Sequence, residues 1–242
     1  MFRRWNLWPI YPLARRLDIY NFARRTIWSA IDDPAFRVYD QQFIGEASEM
    51  PEIPSATYDF LLASHVLEHM ANPLKALHTW RRVVRPLGII VLVVPHRDAT
   101  FDHRRAITTL DHIVSDFLRD VTEDDQTHVQ EILALHDLAL DPGAGSREAF
   151  VLRATNNIEH RSLHHHVFDT ELILKLVDKA RLRIQYVEVE RPFHICVACS
   201  TQSATNPEDE SHVTLANARH WSPLAAWRQR ARFRSDRRLG EE

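Results

Sequence analysis

Glycine is scarce in this chain: five residues in 242, Gly45, Gly88, Gly143, Gly145 and Gly240, with none in the first forty-four positions. That absence excludes a glycine-rich loop, the usual means of bringing backbone close to a ligand, from the whole N-terminal stretch. Cysteine is scarcer still. Cys196 and Cys199 are the only two, and both fall in one short apolar run that reads as a strand, where such near neighbours rarely bridge. A disulfide framework is excluded, and reduced core thiols fit an expected cytoplasmic location. No run approaches the roughly 18 apolar residues that a membrane span needs. Met1 to Pro9 carries arginines without an apolar signal core. Charge of one sign is lacking too: 30 Lys+Arg against 33 Asp+Glu leave a net −3, so no global field draws the chain to nucleic acid or an anionic membrane.

What is present is a composition of 45% hydrophobic and 26% charged residues, which suits a soluble globular domain with one substantial core. Fifteen histidines are a high count for this length. The alternation in Leu17 to Phe22 suits a short strand, with Phe43-Ile44-Gly45 as another. Tyr58 to Ser64 is an apolar run too short for a helix and reads as a strand buried on both faces. Asn72-Pro73 opens a helix with Leu74, Leu77, Trp80, Val83 and Val84 at helical spacing, closed by Arg85-Pro86-Leu87-Gly88. Ile89 to Val94 is a second continuous apolar strand, so the unit reads as a βαβ crossover in a parallel sheet. Periodicity turns helical from Thr108 to Ala139, with an acidic Glu123-Asp124-Asp125 inside it, and Asp141 to Gly145 is a turn. Asp169 is a plausible cap for a helix to about Lys179. Leu182 to Val189 and Phe193 to Ser200 form a closing hairpin. Residues 1–200 are expected to make one domain. Residues 201–242, polar and then rich in arginine, are expected to be a solvated, disordered tail.

The string Tyr58-Asp-Phe-Leu-Leu-Ala-Ser-His-Val-Leu-Glu-His69, followed by Asn72-Pro73, Trp80-Arg-Arg-Val83 and Pro86-Leu-Gly88, resembles the fourth strand, following helix and fifth strand of class I S-adenosylmethionine-dependent methyltransferases. The nearest subgroup is bacterial and type 11-like, on the segments Val94-Pro-His-Arg97, Thr100-Phe-Asp-His-Arg-Arg105, Leu135-His-Asp137 and His164-His-His-Val-Phe-Asp169. The resemblance runs from about Pro9 to Ser200. It implies an α/β fold: a Rossmann-like, doubly wound, mostly parallel sheet with a C-terminal antiparallel hairpin. It also implies S-adenosylmethionine as cofactor. Asp18 would bind the ribose hydroxyls, Glu46 and Ala47 would border the adenine, and Ser64 and His65 would border the methionine part and the acceptor. Each of those carboxylates reads equally well as solvated.

Methyl transfer to a hydroxyl or amine is helped by a nearby base, and histidine titrates near neutrality. His65, His96 and His103 are the candidate bases. His136 and His165, with Arg97, Arg104 and Arg105, are candidates for holding an anionic substrate group. Each histidine taken alone is more often structural than catalytic. No metal ligand set is assigned in this reading.

The family places a strand and an acidic-x-Gly-x-Gly loop before the segment matching Pro9 onward, and only Met1 to Trp8 precede it here. The expectation is a chain truncated before that loop, lacking the first central strand, with cofactor binding impaired. The acceptor is expected to be a small molecule or a glycan hydroxyl. Two other readings stand beside methyl transfer. His65-x-x-Glu68-His69 matches an inverted zinc-peptidase pattern. A non-catalytic subunit docked on a full-length methyltransferase would use the unpaired sheet edge.

Overall fold

The computed structural model describes residues 14–24, 26, 39–190 and 194–201, and the arginine-rich stretch expected to be a tail lies outside them. The chain divides into two compact units, Met1–Met50 and Pro51–Glu242.

In the first unit, β1 (Asp18–Asn21) and β2 (Gln41–Ile44) pair in parallel, Asp18 opposite Gln41 and Asn21 opposite Ile44. The Asp40 carboxylate accepts from the Leu17 amide at 2.7 Å, which sets that register. Tyr20 stacks on Phe43. A side chain at Gly45 would place its Cβ 2.6 Å from the Tyr20 hydroxyl, so the tyrosine ring would have to shift to admit one.

The second unit is built on a four-stranded sheet in the order β3-β4-β6-β5: β3 (Tyr58–Ser64), β4 (Val84–Pro95), β5 (Leu182–Glu190) and β6 (His194–Thr201). β3 and β4 are parallel, while β6 runs antiparallel to both β4 and β5. Helix α1 (Pro73–Val83) makes the crossover between the parallel strands, with the Asn72 side chain capping it through the Lys75 amide at 3.1 Å. Its buried stripe is Leu74, Leu77, Trp80 and Val83. It faces a strand whose Ile90, Leu92, Val93 and Val94 are fully buried. Each such side chain contributes about 1.5–3 kcal/mol on burial. Helix α6 (Thr170–Lys179) buries Leu172, Ile173, Leu176 and Val177, and Asp169 caps it by accepting from the Leu172 amide at 2.7 Å. Between β4 and α6 lie α2 (Leu110–Leu118), α3 (Val129–Leu135), α4 (Arg147–Thr155) and α5 (Asn157–His160). They gather a small core of Val129, Ile132, Ala144, Phe150, Ala154 and Leu163.

Four expectations need correction. Arg85 to Gly88 do not close a helix: β4 starts at Val84, and the register jumps from Tyr58↔Val84 to Phe60↔Ile89, so the intervening residues bulge from the strand with Leu87 at φ 65°. β3 is not buried on both faces, because it pairs only with β4 among the described residues and only Ala63 along it is fully buried. The helical stretch from Thr108 breaks after Leu118, where Asp120 adopts φ 50° and the acidic residues form turns. Helices α4 and α5 escape the apolar pattern because each buries only two residues, or one.

Gly88 is required by packing: a Cβ would lie 2.5 Å from Val84 Cγ1, 2.8 Å from the Asp59 carbonyl and 2.9 Å from the Arg85 carbonyl. Gly88→Ala is expected to cost about 1–3 kcal/mol in urea unfolding. Gly143→Ala, whose nearest neighbour is at 3.5 Å, should be close to neutral. Equal effects at the two positions would contradict the bulge geometry.

Candidate active site

Parallel pairing brings the carboxyl ends of β3 and β4 together, and the antiparallel β6 begins at the same place, with His194 opposite Pro95. Three histidines meet this edge: His65 after β3, His96 after β4 and His194 at the start of β6. His65 sits at φ 53°, a left-handed conformation unusual for a side chain of this size, and its amide donates to the Val93 carbonyl at 2.8 Å. Strain of this kind, held by the sheet, often marks a functional position.

Its ring bridges two partners. His65 Nδ1 lies 3.1 Å from Glu68 Oε1, and Nε2 lies 2.8 Å from His194 Nδ1. Glu68 is fully buried. Burial alone would push its carboxyl up, but the His65 hydrogen bond and the charges of His69, His65 and His164 outweigh that and hold it below the usual range. An ionised carboxylate only accepts, so His65 Nδ1 carries the proton. His65 Nε2 is then an acceptor, and the proton shared with His194 sits on His194 Nδ1. Burial, aided by the charge of His65, lowers His194 to about 4. Ser64, the last residue of β3, ends in a buried hydroxyl with no hydrogen-bond partner among the described residues.

Behind this edge lies a second, fully buried network. The Arg105 guanidinium bonds Asp102 Oδ1 at 3.0 Å and the carbonyls of His164 and His165 at 2.8 and 3.3 Å. Asp102 Oδ2 takes His164 Nδ1 at 2.5 Å. Burial opposes both charges, yet the His164 and Arg105 charges bring Asp102 down to about 2. Burial likewise opposes the His164 charge, but Asp102 raises that imidazole above its ordinary value. Asp102 and Arg105 belong to the loop after β4, and His164 to the segment before α6, so this buried salt bridge ties the two together.

The residues expected from sequence divide accordingly. His65 and Ser64 stand at the strand ends. His96 is buried there and accepts from the Asp98 amide at 3.3 Å. Desolvation lowers it, only partly offset by Asp98 and Asp169. Arg97 pairs with Asp98 at 2.9 Å, while His103 and Arg104 both reach Asp137 Oδ2, at 2.9 and 2.7 Å. Arg105 is buried within the protein's own network. His136 is sandwiched between Phe101 and Phe150, with Nε2 3.2 Å from Asp141. His165 is buried against Asn157, and burial together with His128 lowers it to about 3. In the first unit Glu46 and Ala47 follow β2 at its carboxyl end. Asp18 does not end its strand. It opens β1, with Arg16 Nε 2.9 Å from its carboxylate, so the carboxyl-end position belongs to Asn21. The peptidase pattern loses its scaffold: Leu67–His69 is a single 3-10 turn rather than an α-helix, and Glu68 is spent on His65. His194 was not among the sequence candidates. The signal was there in the hairpin, since an antiparallel last strand must begin where its neighbour ends.

Two outcomes follow. His69, lowered to about 4, and His165 and His194, at about 3 and 4, all lie below their unfolded value of 6.5. The unfolded chain therefore binds protons first, and stability should fall progressively as pH drops from about 6.5 to 4. The raised His164 acts in the opposite sense, losing its contribution as pH rises through its folded value. A melting temperature that is flat or rising over that acid window would contradict the burial of the three neutral imidazoles. Separately, Arg105→Ala removes one of the two cationic partners of buried Asp102, takes the donor from the His164 and His165 carbonyls, and should cost about 3–5 kcal/mol. A urea midpoint close to that of the parent would contradict the network.

No curated protein matches the chain. Among solved structures it is similar to an S-adenosylmethionine-dependent methyltransferase of Methanosarcina mazei, at 13% identity over 81% of this chain and 99% of that one, TM-score 0.45. It is also similar to the 1,6-didemethyltoxoflavin-N1-methyltransferase of Burkholderia thailandensis, at 11% identity over 84% of this chain and 78% of that one, TM-score 0.45. These likenesses are too remote to assign a substrate. The family model described as a methyltransferase domain matches residues 12–140, more than half of the chain. The protein belongs to that methyltransferase-domain family.

Proposed function

We propose that the chain transfers a methyl group from S-adenosylmethionine to an acceptor hydroxyl held over the carboxyl ends of β3 and β4, with His65 receiving the proton. The carrying observation is the ordered array Glu68, His65, His194, in which a buried carboxylate fixes the tautomer of a strained histidine at a strand end. A glycan hydroxyl is the acceptor class that the sequence resemblance favours.

The residues at this edge fit the cofactor. Ser64 presents a buried hydroxyl without a partner among the described residues, suited to a polar ligand beyond the strand. In the first unit, Glu46 and Ala47 stand after β2, where the resemblance puts the adenine, while Asp18 is given no ribose contact. The cofactor, when bound, supplies an electrophilic methyl carbon on a sulfonium. The protein's share of the work is alignment and proton management. Glu68 keeps the Nδ1 proton of His65 in place, which leaves Nε2 as the accepting atom. His194 Nδ1–H occupies that atom in the resting state, and an acceptor hydroxyl takes its place. Arg97, Arg104 and His103, partly exposed beside Asp98 and Asp137, are the groups left to meet an anionic substrate, whereas Arg105, His136 and His165 act as scaffold.

A second reading draws on the single pairing of β3 among the described residues. Its exposed ladder edge could seat an intact homologue, making the chain a partner subunit. Copurification with such a homologue would favour that reading over independent catalysis.

His65→Gln is expected to lower kcat by about 100-fold or more while leaving cofactor affinity nearly unchanged. An unchanged kcat in this variant would remove His65 from the chemistry. Loss of cofactor affinity alone would make it a binding residue instead.

A further inference from the structure

A different group of side chains lies on α2 and its neighbours. His112 and Asp116 are one helical turn apart on α2, His128 immediately precedes α3, and His166 lies in the segment before α6. One ligand atom from each falls within 4.8 Å of all the others. His112 Nε2 is 3.2 Å from His128 Nε2 and 3.2 Å from Asp116 Oδ2, and His166 Nε2 is 3.9 Å from the same oxygen. The rings stand edge to face around a common centre, at 82° between His112 and His128, 61° between His112 and His166, and 69° between His128 and His166.

We propose that His112, Asp116, His128 and His166 bind a divalent transition-metal ion, zinc by its ligand chemistry, in a closed structural site. Three imidazoles and a carboxylate are a zinc ligand set. A tetrahedron with bonds of about 2.0–2.1 Å has edges of about 3.3–3.4 Å. The two 3.2 Å separations already match such edges, and His166 Nε2, 3.9 Å from Asp116 Oδ2, moves inward to complete the set.

His166 Nε2 lies 3.2 Å from the Ala71 carbonyl; ligation through that nitrogen replaces this contact and leaves the ring proton on Nδ1, which is buried with no hydrogen-bond partner among the described residues. The other oxygen of Asp116 is held by Arg119 at 2.6 Å, the kind of outer contact that orients a carboxylate ligand. His112 is about one-third exposed, which leaves a path for the ion to enter.

A rival cluster, Glu68, His69 and His164, also brings ligand atoms together. Its members are committed elsewhere, since Glu68 holds His65, His69 Nδ1 lies 3.0 Å from the Leu163 carbonyl and His164 is paired with Asp102. With all four ligands supplied by protein, zinc in the first cluster would clamp α2, the start of α3 and the His164 to His166 segment, making its role structural rather than catalytic.

The test uses the untagged full chain, stripped with a chelator and titrated with zinc, with bound metal and melting temperature both measured. The expected result is about one ion per chain and a rise in melting temperature. His112→Ala, a substitution compatible with the helix, should weaken zinc affinity by about 10-fold or more. His69→Gln should leave it unchanged. Absence of stoichiometric binding, or equal affinity in the parent and His112→Ala, would overturn the assignment. Loss of binding in His69→Gln alone would also overturn it, by moving the ion to the rival cluster.

Discussion

The buried salt bridge among Asp102, Arg105 and His164 is the constraint on which the functional half of the structure depends. Sheet and helices assemble by ordinary apolar burial, and the carboxyl end of the sheet is covered by two irregular segments, of which the one before α6 buries Leu163, Val167 and Phe168. Arg105 crosslinks them: it holds Asp102 in the loop after β4 and the carbonyls of His164 and His165 in the segment before α6. Such a network is costly to desolvate and stabilises only when complete. What it provides is position. With His164 fixed, its neighbours follow: the His166 amide reaches the Glu68 carbonyl, and Glu68 holds His65 at the end of β3.

The shortage of glycine gives this arrangement a particular character. Among the described residues, left-handed backbone is carried by Met50, Ala56, His65, Leu87, Asp120, Arg161 and Arg181, and by one glycine, Gly145. At His65 the strained conformation turns the ring back over the sheet edge between Glu68 and His194. Positive φ thus falls on the residue proposed to receive the proton, and no glycine stands in the first forty-four residues.

Strands and capped helices were legible in the sequence because their signals are local. The apolar run of β3, the Asn72-Pro73 start of α1 and the Asp169 cap of α6 each follow from neighbouring residues, and all three stand where expected. The bulged start of β4 was not legible, since it depends on register against β3. The site was half legible. His65 and Ser64 follow from the strand ending at 64, whereas His194 requires the pairing partner of the last strand. Arg105, His136 and His165 looked like substrate ligands because a polar residue in a loop reads as exposed. The burial of His136 and Arg105 comes from contacts between segments some 30 to 60 positions apart in sequence, such as His136 with Phe101 and Arg105 with the His165 carbonyl. The resemblance located the edge of the sheet, and the structure shows which side chains meet there.

The most direct measurement is a titration of the full chain with S-adenosylhomocysteine, followed through the imidazole resonances of individually assigned histidines. The account predicts that His65 and His194 shift together on saturation, while His78 and His136, which lie away from the strand ends, stay in place. Resonances of His65 and His194 that do not move at saturation would contradict the placement of the reaction at the carboxyl ends of β3 and β4.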